Sequence, residues 1–299
     1  MRFLVGGASG FLGSSLCSQL TAQGHTVTRL VRHEATAPDE SRWDAAKGDV
    51  DVALVAQSDV VVNLSGAPIA RWPWSASYRR ELMKSRLDAT TTLARAVAGV
   101  TGDKPALISG SGINAYGTDR GDTWLEEDAG SGEGFLTEVV EQWEAATQVA
   151  SDAGSRVCHL RTAVVLDADG GALQLMSLPF KLGVGGRIGS GKQYFPIITR
   201  TDWVRAAIFL ATNPETSGPY NLTAPVDATN AEFTHVLGEA LHRPTLFPVP
   251  GLPLRVGLGE LSGELLGSKR AYPRRLLDAG FVFEHGDLET LVRAALHQD

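Results

Sequence analysis

Short apolar runs alternate with stretches of helical period along roughly the first 165 residues of the chain. The first run, Phe3 to Val5, ends abruptly in glycines and is typical of a buried strand. Leu12, Leu16 and Leu20 then recur every four residues, which places them on one face of a helix. Such repeated alternation predicts an α/β fold with a doubly wound parallel sheet. Further strands are predicted at 26–31, 59–64, 106–109 and 157–160, and helices at about 76–97 and 135–150.

The pattern loosens after about residue 167, where glycines, prolines and long connections become more frequent. Helices are predicted at 173–182, 206–211 and 233–241. Four prolines between 244 and 253 predict a stretch that is neither a regular helix nor a central strand. We therefore divide the chain into a sheet domain at 1–170 and a smaller mixed segment at 171–299, which covers the carboxyl ends of the strands. In open α/β sheets that crevice is where ligands bind.

Gly7, Gly10 and Gly13 follow the first strand at intervals of three residues, where the chain turns into the first helix. Gly7 suits a tight turn, Gly10 lets the backbone approach a phosphate, and Gly13 lets the helix pack close to the strand. Backbone N–H groups and the positive end of a helix meet at such a turn, so it predicts an NAD(P)-binding Rossmann domain. A glycine-rich turn without any ligand is the alternative.

The end of the second strand distinguishes the two nicotinamide dinucleotides. The residue about 20 positions past the glycines contacts the adenosine ribose in such domains, and here that position falls on Arg32 and His33, directly after Val31. An acid there would bind the 2′-hydroxyl of NAD, whereas a cation suits the 2′-phosphate of NADP. We therefore expect NADP rather than NAD, with Arg32 as its clamp. Alternatively, Arg32 is simply a solvated strand end.

Composition excludes several classes of protein. A net charge of −7 argues against a nucleic-acid surface and against adsorption to an anionic membrane. No apolar run approaches the length that spans a bilayer, and the N-terminus lacks the pattern of a signal peptide, so we expect a cytoplasmic protein. The seven histidines and two cysteines show no metal-binding spacing, and we expect no metal site.

A second glycine-rich stretch, residues 186–193, nearly fits a phosphate-binding P-loop. Gln193 stands where the motif needs a hydroxyl for Mg²⁺, and the residues that follow are extended rather than helical in pattern. We therefore reject a nucleotide triphosphatase. Contact between this loop's backbone and a substrate phosphate stays open.

These pieces together resemble the extended short-chain dehydrogenase/reductases, the group of the sugar-nucleotide epimerases and dehydratases. A closer resemblance is to an atypical branch, the NAD-dependent epimerase/dehydratase family with a C-terminal domain of unknown function. It covers essentially the whole chain, and its C-terminal domain corresponds to about 247–295. The segments that carry the resemblance are 7–13, 63–66, 85–90, 143–146, 170–173, 179–193, 259–266, 273–277 and 279–281.

The resemblance implies an NADP-binding Rossmann domain. Arg32 would hold the 2′-phosphate, and Val165 would lie near the nicotinamide. The implied cofactor contacts, including those of the glycine turn, are Gly7, Gly10, Phe11, Leu12, Gly13, Val31, Arg32, Leu64, Ser65, Glu81, Arg86 and Val165.

The resemblance implies a catalytic Ser together with a Tyr-x-x-x-Lys pair, as in typical members. There the Tyr gives or takes the proton, and the Lys lowers the pKa of the Tyr. None of the five tyrosines has a lysine four residues later, and Leu136 and Val140 occupy the corresponding helix positions. Ser109 at a strand end and Tyr116 in the following loop are the remaining catalytic candidates. Both residue types are also common at such places without a catalytic role.

The chain also departs from its own branch, because Thr199 stands where the branch has a histidine and Arg200 adds a cation. Two hypotheses follow. The first is an NADP-dependent oxidoreductase or epimerase that acts on a small polar or nucleotide-linked substrate and uses another proton relay. The second is a non-catalytic NADP-binding sensor or partner-binding module. Whether the chain is an enzyme, its substrate and its oligomeric state stay open.

Overall fold

A computed structural model describes residues 1–259 and 261–297, without the side chains of Arg255 and Leu258. The strands of the described part are β1 (Arg2–Gly6), β2 (Thr26–Val31), β3 (Glu40–Arg42), β4 (Val60–Asn63), β5 (Ala106–Gly112), β6 (Trp124–Leu125), β7 (Val157–Thr162), β8 (Val164–Asp167), β9 (Ile197–Thr199), β10 (Gly218–Leu222) and β11 (Arg270–Ala271). The α-helices there are α1 (Phe11–Ala22), α2 (Val52–Gln57), α3 (Ala76–Ala98), α4 (Phe135–Ala145), α5 (Gln148–Asp152), α6 (Gly171–Lys181), α7 (Arg200–Thr212), α8 (Asn230–Ala240), α9 (Gly251–Leu258), α10 (Leu261–Leu266), α11 (Arg274–Asp278) and α12 (Leu288–Ala295).

The central sheet has seven strands in the spatial order β10-β7-β5-β4-β1-β2-β3, and every neighbouring pair is parallel. The order reverses at β1, because the chain passes from β1 outward to β2 and β3 and then returns to β4 on the other side. Parallel pairing aligns the carboxyl ends of β1 and β4, where Gly6 lies opposite Asn63. The prediction of a doubly wound parallel sheet is confirmed.

Alternate residues of each strand enter different hydrophobic cores on the two faces of the sheet. Phe3 and Val5 pack in the core that α1 and α7 cover, whereas Leu4 packs in the core that α2, α3 and α5 cover. Both faces are apolar because helices shield both of them, as parallel sheets require. A third core joins β8 and β9 to α6, α8 and α12.

The chain beyond residue 170 returns to the central sheet. Helix α7 is longer than the predicted 206–211 helix, and its Trp203 is fully buried beside the sheet. Strand β10 was missed by the sequence pattern and pairs with β7 at the edge of the sheet. Pro219 lies within it, which an edge strand tolerates because one side of its backbone needs no donor. The division of the chain at residue 170 stays a prediction.

Two local predictions were wrong. The single helix expected at 135–150 ends at Ala145, where Thr147 N donates to the carbonyl of Glu144 (3.1 Å) in a tighter turn. The Thr147 hydroxyl bonds His159 Nε2 (2.8 Å) at this break. The proline-rich stretch contains the start of α9, with Pro253 in its first turn. A proline is compatible with that place, since the first N–H groups of a helix have no helical partner.

The small two-stranded sheets link the C-terminal segment to the main sheet. Strand β11 pairs with β6, and β9 pairs with β8, which directly follows β7. The C-terminal helices are therefore held beside the carboxyl ends of β5 and β7. Among the described residues, no helix combines the length and apolar character that crossing a bilayer needs.

Trp203→Ala should destabilise the fold by about 3–5 kcal/mol, because it empties a fully buried site and removes the hydrogen bond from Trp203 Nε1 to Thr162 Oγ1 (3.1 Å). Urea unfolding followed by circular dichroism measures the loss. Trp72→Ala is the matched control, since that ring is 54% exposed, and it should change the free energy of unfolding by less than about 1 kcal/mol. Equal losses in the two variants would contradict this assignment of the core.

Candidate functional site

The turn between β1 and α1 is built on close backbone approaches. Gly7 has a φ of +79°, and a Cβ at this position would lie 2.6 Å from the carbonyl carbon of Leu64. A Cβ at Gly13 would lie 2.2 Å from the carbonyl oxygen of Gly7. A larger residue at either place therefore displaces main chain rather than a flexible side chain. The turn brings β1, α1 and the chain after β4 into direct contact.

The N-terminus of α1 is open. Gly10 is the N-cap, no side chain caps the helix, and the first turn contains no acidic residue. Gly10 is exposed, and Phe11 and Leu12 are half-buried. The first amide groups of a helix lack helical partners, and the helix dipole favours an anion beside them. This cradle fits a dinucleotide pyrophosphate, which Cβ atoms would exclude.

Arg32 is exposed directly after β2, next to the half-buried Val31. Within the described residues it makes no ion pair or side-chain hydrogen bond. The nearby acid Glu34 is already engaged by Arg42, at 2.5 Å. A guanidinium that has no partner in the described structure, with its neighbouring acid already paired to Arg42, suits an anion such as a 2′-phosphate better than a ribose hydroxyl.

The chain after β4 forms the opposite wall of the turn. Leu64 N donates to the carbonyl of Gly6 (2.9 Å), and Ser65 N donates to the side chain of Asn63 (3.1 Å). The hydroxyl of Ser65 is buried and has no partner within the described residues. Buried polar atoms are nearly always hydrogen-bonded, so a hydroxyl without a partner beside a ligand cradle is notable.

Arg86 on α3 is buried without a counter-ion among the described residues. Its guanidinium donates to the carbonyl groups of Ala67 (3.0 Å) and Leu82 (3.1 Å), while its Nε has no partner. The group lies over the ring of Trp143, 5.0 Å from the centroid. Burial lowers the pKa of Arg86 to about 10. Burying a cation without an acid nearby costs free energy unless a bound anion offsets that cost.

The other two predicted contacts lie in different surroundings. Glu81 is exposed on α3 and lies 3.9 Å from Arg71 of the loop before that helix. Val165 is buried in β8. Glu81 and Arg86 both contact the loop between β4 and α3, as the sequence suggested if α3 packs in the usual way.

Phe11 connects the glycine turn to the segment after β8. Its ring would collide with a Cβ at Gly170 (2.8 Å), and the guanidinium of Arg200 lies 5.4 Å from the ring centroid. Arg200 also pairs with Asp167 (2.9 Å). Arg200 is therefore a structural cation beside the turn. The oxygen and nitrogen atoms of Asp167, Asp169 and His297 lie within 4.8 Å of one another, but Arg200 already supplies that cluster with positive charge.

The two catalytic candidates are fully buried. Ser109 Oγ donates to the carbonyl of Gly110 (3.1 Å). Tyr116 lies in a short 3₁₀ helix at 113–116, donates from its hydroxyl to Asn221 Oδ1 (2.8 Å) and accepts from Arg161 (3.1 Å). Burial raises the pKa of Tyr116. The catalytic roles of Ser109 and Tyr116 stay predictions, and this geometry weighs against both, since each hydroxyl is already engaged.

Sequence reasoning missed the ion pair next to them. Arg161 forms two hydrogen bonds with Glu144, each 2.9 Å long, and Ser111 Oγ donates to the same carboxylate (2.6 Å). Burial raises the pKa of Glu144, but its hydrogen bonds with Arg161 outweigh this effect, and the pKa lies below its usual value. No local spacing marks this pair, because α4 and β7 bring its members together.

The glycine-rich loop at 186–193 is held by its neighbours and opens no helix. Arg187 donates to the carbonyl of Ser190 (2.6 Å), and Gln193 donates to the carbonyl groups of Ile188 (3.0 Å) and Leu265 (3.3 Å). The rejection of a P-loop agrees with this geometry. The loop anchors α10.

Two family models match the sequence. Residues 3–223 match the NAD dependent epimerase/dehydratase family, and residues 249–295 match a domain of unknown function, DUF1731. The second match lies where the resemblance placed a C-terminal domain. Both matches confirm the family expected from the sequence.

Similar proteins are spread over several organisms. Epimerase family protein Mb2239 of Mycobacterium bovis is 40% identical over 287 residues, which are 95% of this chain and 94% of the relative. The crystal structure of human epimerase family protein SDR39U1 (isoform 2) with NADPH has a TM-score of 0.90 and 33% identity, with full coverage of both chains. A nucleoside-diphosphate sugar epimerase from Corynebacterium glutamicum has a TM-score of 0.81 and 32% identity, covering 99% of this chain and 58% of that longer one.

Glu144→Gln should lower the free energy of unfolding by about 3 kcal/mol at pH 7, because it leaves Arg161 buried without its anion. The lowered pKa of Glu144 means that the ion pair stabilises the fold above the ordinary carboxyl pKa and ceases to do so as the pH falls through the lowered value. The difference between wild type and variant should therefore shrink in acid. Urea unfolding of both proteins at pH 7 and at a pH below the lowered pKa of Glu144 measures this difference.

Glu141→Gln is the matched control, an exposed glutamate on the same helix. Its effect should stay within about 0.5 kcal/mol at both pH values. A loss in Glu144→Gln that is unchanged by pH would show that the ion pair is not its cause.

Proposed function

Because the chain belongs to the NAD-dependent epimerase/dehydratase family, we propose that it binds NADP and acts as an oxidoreductase or epimerase. The observation that carries the cofactor proposal is Arg32, an exposed arginine without a partner in the described structure at the ribose end of an open phosphate cradle. NADPH in the human relative's structure supports the same cofactor. NAD is the less favoured alternative.

In this proposal each wall of the turn holds one part of the dinucleotide. The amides after Gly10 bind the pyrophosphate, and Arg32 binds the 2′-phosphate. Arg86, a buried cation without a counter-ion among the described residues, is a further contact to the dinucleotide in this proposal. Ser65 is another, because its buried hydroxyl has no partner there. Val165 closes the nicotinamide end. The remaining proposed contacts are Gly7, Phe11, Leu12, Gly13, Val31, Leu64 and Glu81.

When bound, the cofactor would supply hydride transfer, and the protein would have to orient it and move a proton. Leu136 and Val140 are buried and apolar where typical members carry Tyr and Lys. Any proton transfer therefore needs another group. Ser109 and Tyr116 are retained as candidates from the sequence, but their engaged hydroxyls favour a role in holding the end of β5.

We propose a nucleotide-linked or other small polar substrate, because a nucleoside-diphosphate sugar epimerase is among the similar structures. The second candidate function is a non-catalytic NADP-binding protein, and the apolar pair Leu136 and Val140 favours it. The cytoplasmic location expected from the sequence is part of the proposal. Both candidate functions require NADP binding, so a cofactor titration tests the two together.

NADP⁺ and NADPH should raise the melting temperature more than NAD⁺ and NADH at equal concentration. A ligand that binds only the folded state stabilises it by about 2.7 kcal/mol at a hundredfold excess over Kd. Arg32→Ala should remove most of the preference for the phosphorylated pair, because the free guanidinium is its proposed contact. Differential scanning fluorimetry of the wild type and variant measures this.

Arg95→Ala is the matched control, since Arg95 is also exposed but lies in the last turn of α3. It should keep the wild-type preference. Absence of a shift with all four dinucleotides would refute cofactor binding. An equal response to both pairs in the wild type would refute the choice of NADP.

Arg86→Met should weaken NADPH binding by about tenfold or more, which corresponds to ~1.4 kcal/mol. The free energy of unfolding of the unliganded protein should fall by far less than this loss of binding free energy. The reason is that the change also removes a buried cation that lacks a counter-ion among the described residues. Isothermal titration with NADPH and urea unfolding without it separate the two effects. Arg80→Met, an exposed neighbour on the same helix, is the control. A variant that loses apo stability but keeps its NADPH affinity would make Arg86 structural.

A further inference from the structure

A buried polar cluster joins the end of β5 to the C-terminal helices. Lys269 Nζ donates to Glu264 Oε2 (2.8 Å), and Asn114 Nδ2 donates to the same oxygen (2.5 Å). Lys269 is 5% exposed, and the side chain of Glu264 is 17% exposed. Asn114 directly follows β5, whereas the other two residues come from α10 and the turn after it. The cluster exists only because the C-terminal segment folds against the sheet.

This cluster adjoins the place where the family's catalytic pair is missing. Thr137, next to Leu136, donates from its hydroxyl to the carbonyl of Asn114 (2.8 Å). A Cβ at Gly112 would lie 3.2 Å from Asn114 Oδ1 and 3.7 Å from Val140 Cγ2. Helix α4 therefore bonds Asn114 through Thr137, and the side chains of Asn114 and Val140 both border Gly112. The ionisable group bonded to the Asn114 side chain is Glu264, which in turn accepts from Lys269.

The same cluster is tied to the strands at the proposed nicotinamide end. Lys269 N donates to the carbonyl of Tyr194 (3.3 Å), in the segment that leads into β9. Val164 N donates to the carbonyl of Pro196 (3.2 Å) in the same segment, and β8 and β9 pair so that Val165 lies opposite Ile198. Lys269 therefore lies between the end of β5 and the segment that packs beside β8.

The hydrogen-bonding capacity of the cluster is not filled. An ammonium group has three N–H donors, and within the described residues Lys269 Nζ uses one of them, on Glu264. Glu264 Oε2 accepts two bonds, while its Oε1 has no partner there. A nearly buried ammonium with spare donors is costly unless another acceptor binds it. A polar oxygen of a substrate meets that requirement.

We propose that Lys269 is the proton donor that replaces the missing Tyr-x-x-x-Lys pair, with Glu264 as its positioning residue. The inference rests on the proposed oxidoreductase function. The substrate class is a carbonyl compound, whose oxygen accepts from Lys269 Nζ. The carbonyl carbon gains a hydride from NADPH, which is oxidised to NADP⁺, as the oxygen takes a proton from Nζ. The neutral amine then takes a proton from water, and the product is an alcohol.

The test follows NADPH oxidation with diacetyl, a small reactive diketone, as the probe. Lys269→Met should lower kcat by about a hundredfold or more, the scale of general acid catalysis. The shift in melting temperature with NADPH should not change, because the cluster lies outside the proposed cofactor contacts. Lys84→Met is the matched control, since Lys84 also pairs with a carboxylate, Asp88 at 2.6 Å, but is exposed. It should keep kcat within about twofold of wild type, in line with the small energy of exposed ion pairs.

Two further measurements separate catalysis from folding. Lys269→Arg keeps the positive charge and the ion pair with Glu264, but a guanidinium does not give up its proton in proteins. It should fold and bind NADPH yet remain as slow as Lys269→Met. Added ethylamine should restore part of the rate to Lys269→Ala and none to Lys84→Ala. Glu264→Gln should lower kcat more than it changes KM, because it releases the ammonium.

The outcomes are distinct. If the wild type oxidises NADPH and Lys269→Arg does so at the wild-type rate, the assignment of Lys269 is wrong while the oxidoreductase function stands. If NADPH binds but the wild type oxidises none of it with diacetyl, the oxidoreductase proposal fails and the proton donor fails with it. Slow Lys269→Arg turnover with amine rescue of Lys269→Ala establishes the role.

Discussion

The structure depends on how closely the first helix can approach the first strand. The 2.2 Å separation between the carbonyl oxygen of Gly7 and a Cβ built at Gly13 means that only a residue without a side chain lets α1 pack there. The N-cap of the same helix is Gly10, which has no side chain, so no side chain caps the first amides of α1. Because β1 is the strand at which the order reverses, this one contact positions the wall formed after β4 and the ribose side after β2. This packing constraint, the uncapped start of α1 and the reversal of the strand order together form the anion cradle.

Buried charges at the carboxyl ends of the strands divide into two kinds. Arg161 has its acid, Glu144, and several further bonds, so its role is to hold α4, β7 and the 3₁₀ helix after β5 together. Arg86 has carbonyl partners and an aromatic ring but no acid among the described residues, and it lies beside Gly66 and Ala67 of the loop after β4. Both desolvated cations carry an energetic cost, and the difference is whether the chain itself offsets it. The cation without an internal anion is the one expected to meet a ligand.

Sequence patterns predicted the parts of the fold that depend on local repetition. Strand β1, helix α1 and the turn between them follow from residues within a dozen positions of one another, and Arg32 follows from a fixed distance along the chain. Strand β10 was missed because five residues with an internal proline carry little pattern, and its pairing with β7 is what stabilises it. The break between α4 and α5 was also missed, and there the Thr147 hydroxyl bonds His159 of β7, a contact that no local pattern predicts. Tyr116 was proposed from its position after β5, and its burial against Arg161 and Asn221 became visible only in three dimensions.

The C-terminal segment contributes a buried polar cluster that no local motif reveals. Asn114 and Glu264 are 150 residues apart, and neither has a sequence context that marks it as functional. Their meeting depends on the pairing of β11 with β6 and on the bonds that join Ser268 to Asp119 and Gly121. In the proposed enzyme the buried apolar side chains of Leu136 and Val140 on α4 supply no proton. The C-terminal segment, which folds over the same strand end, brings the ionisable pair Lys269 and Glu264 to Asn114, the residue that α4 bonds through Thr137.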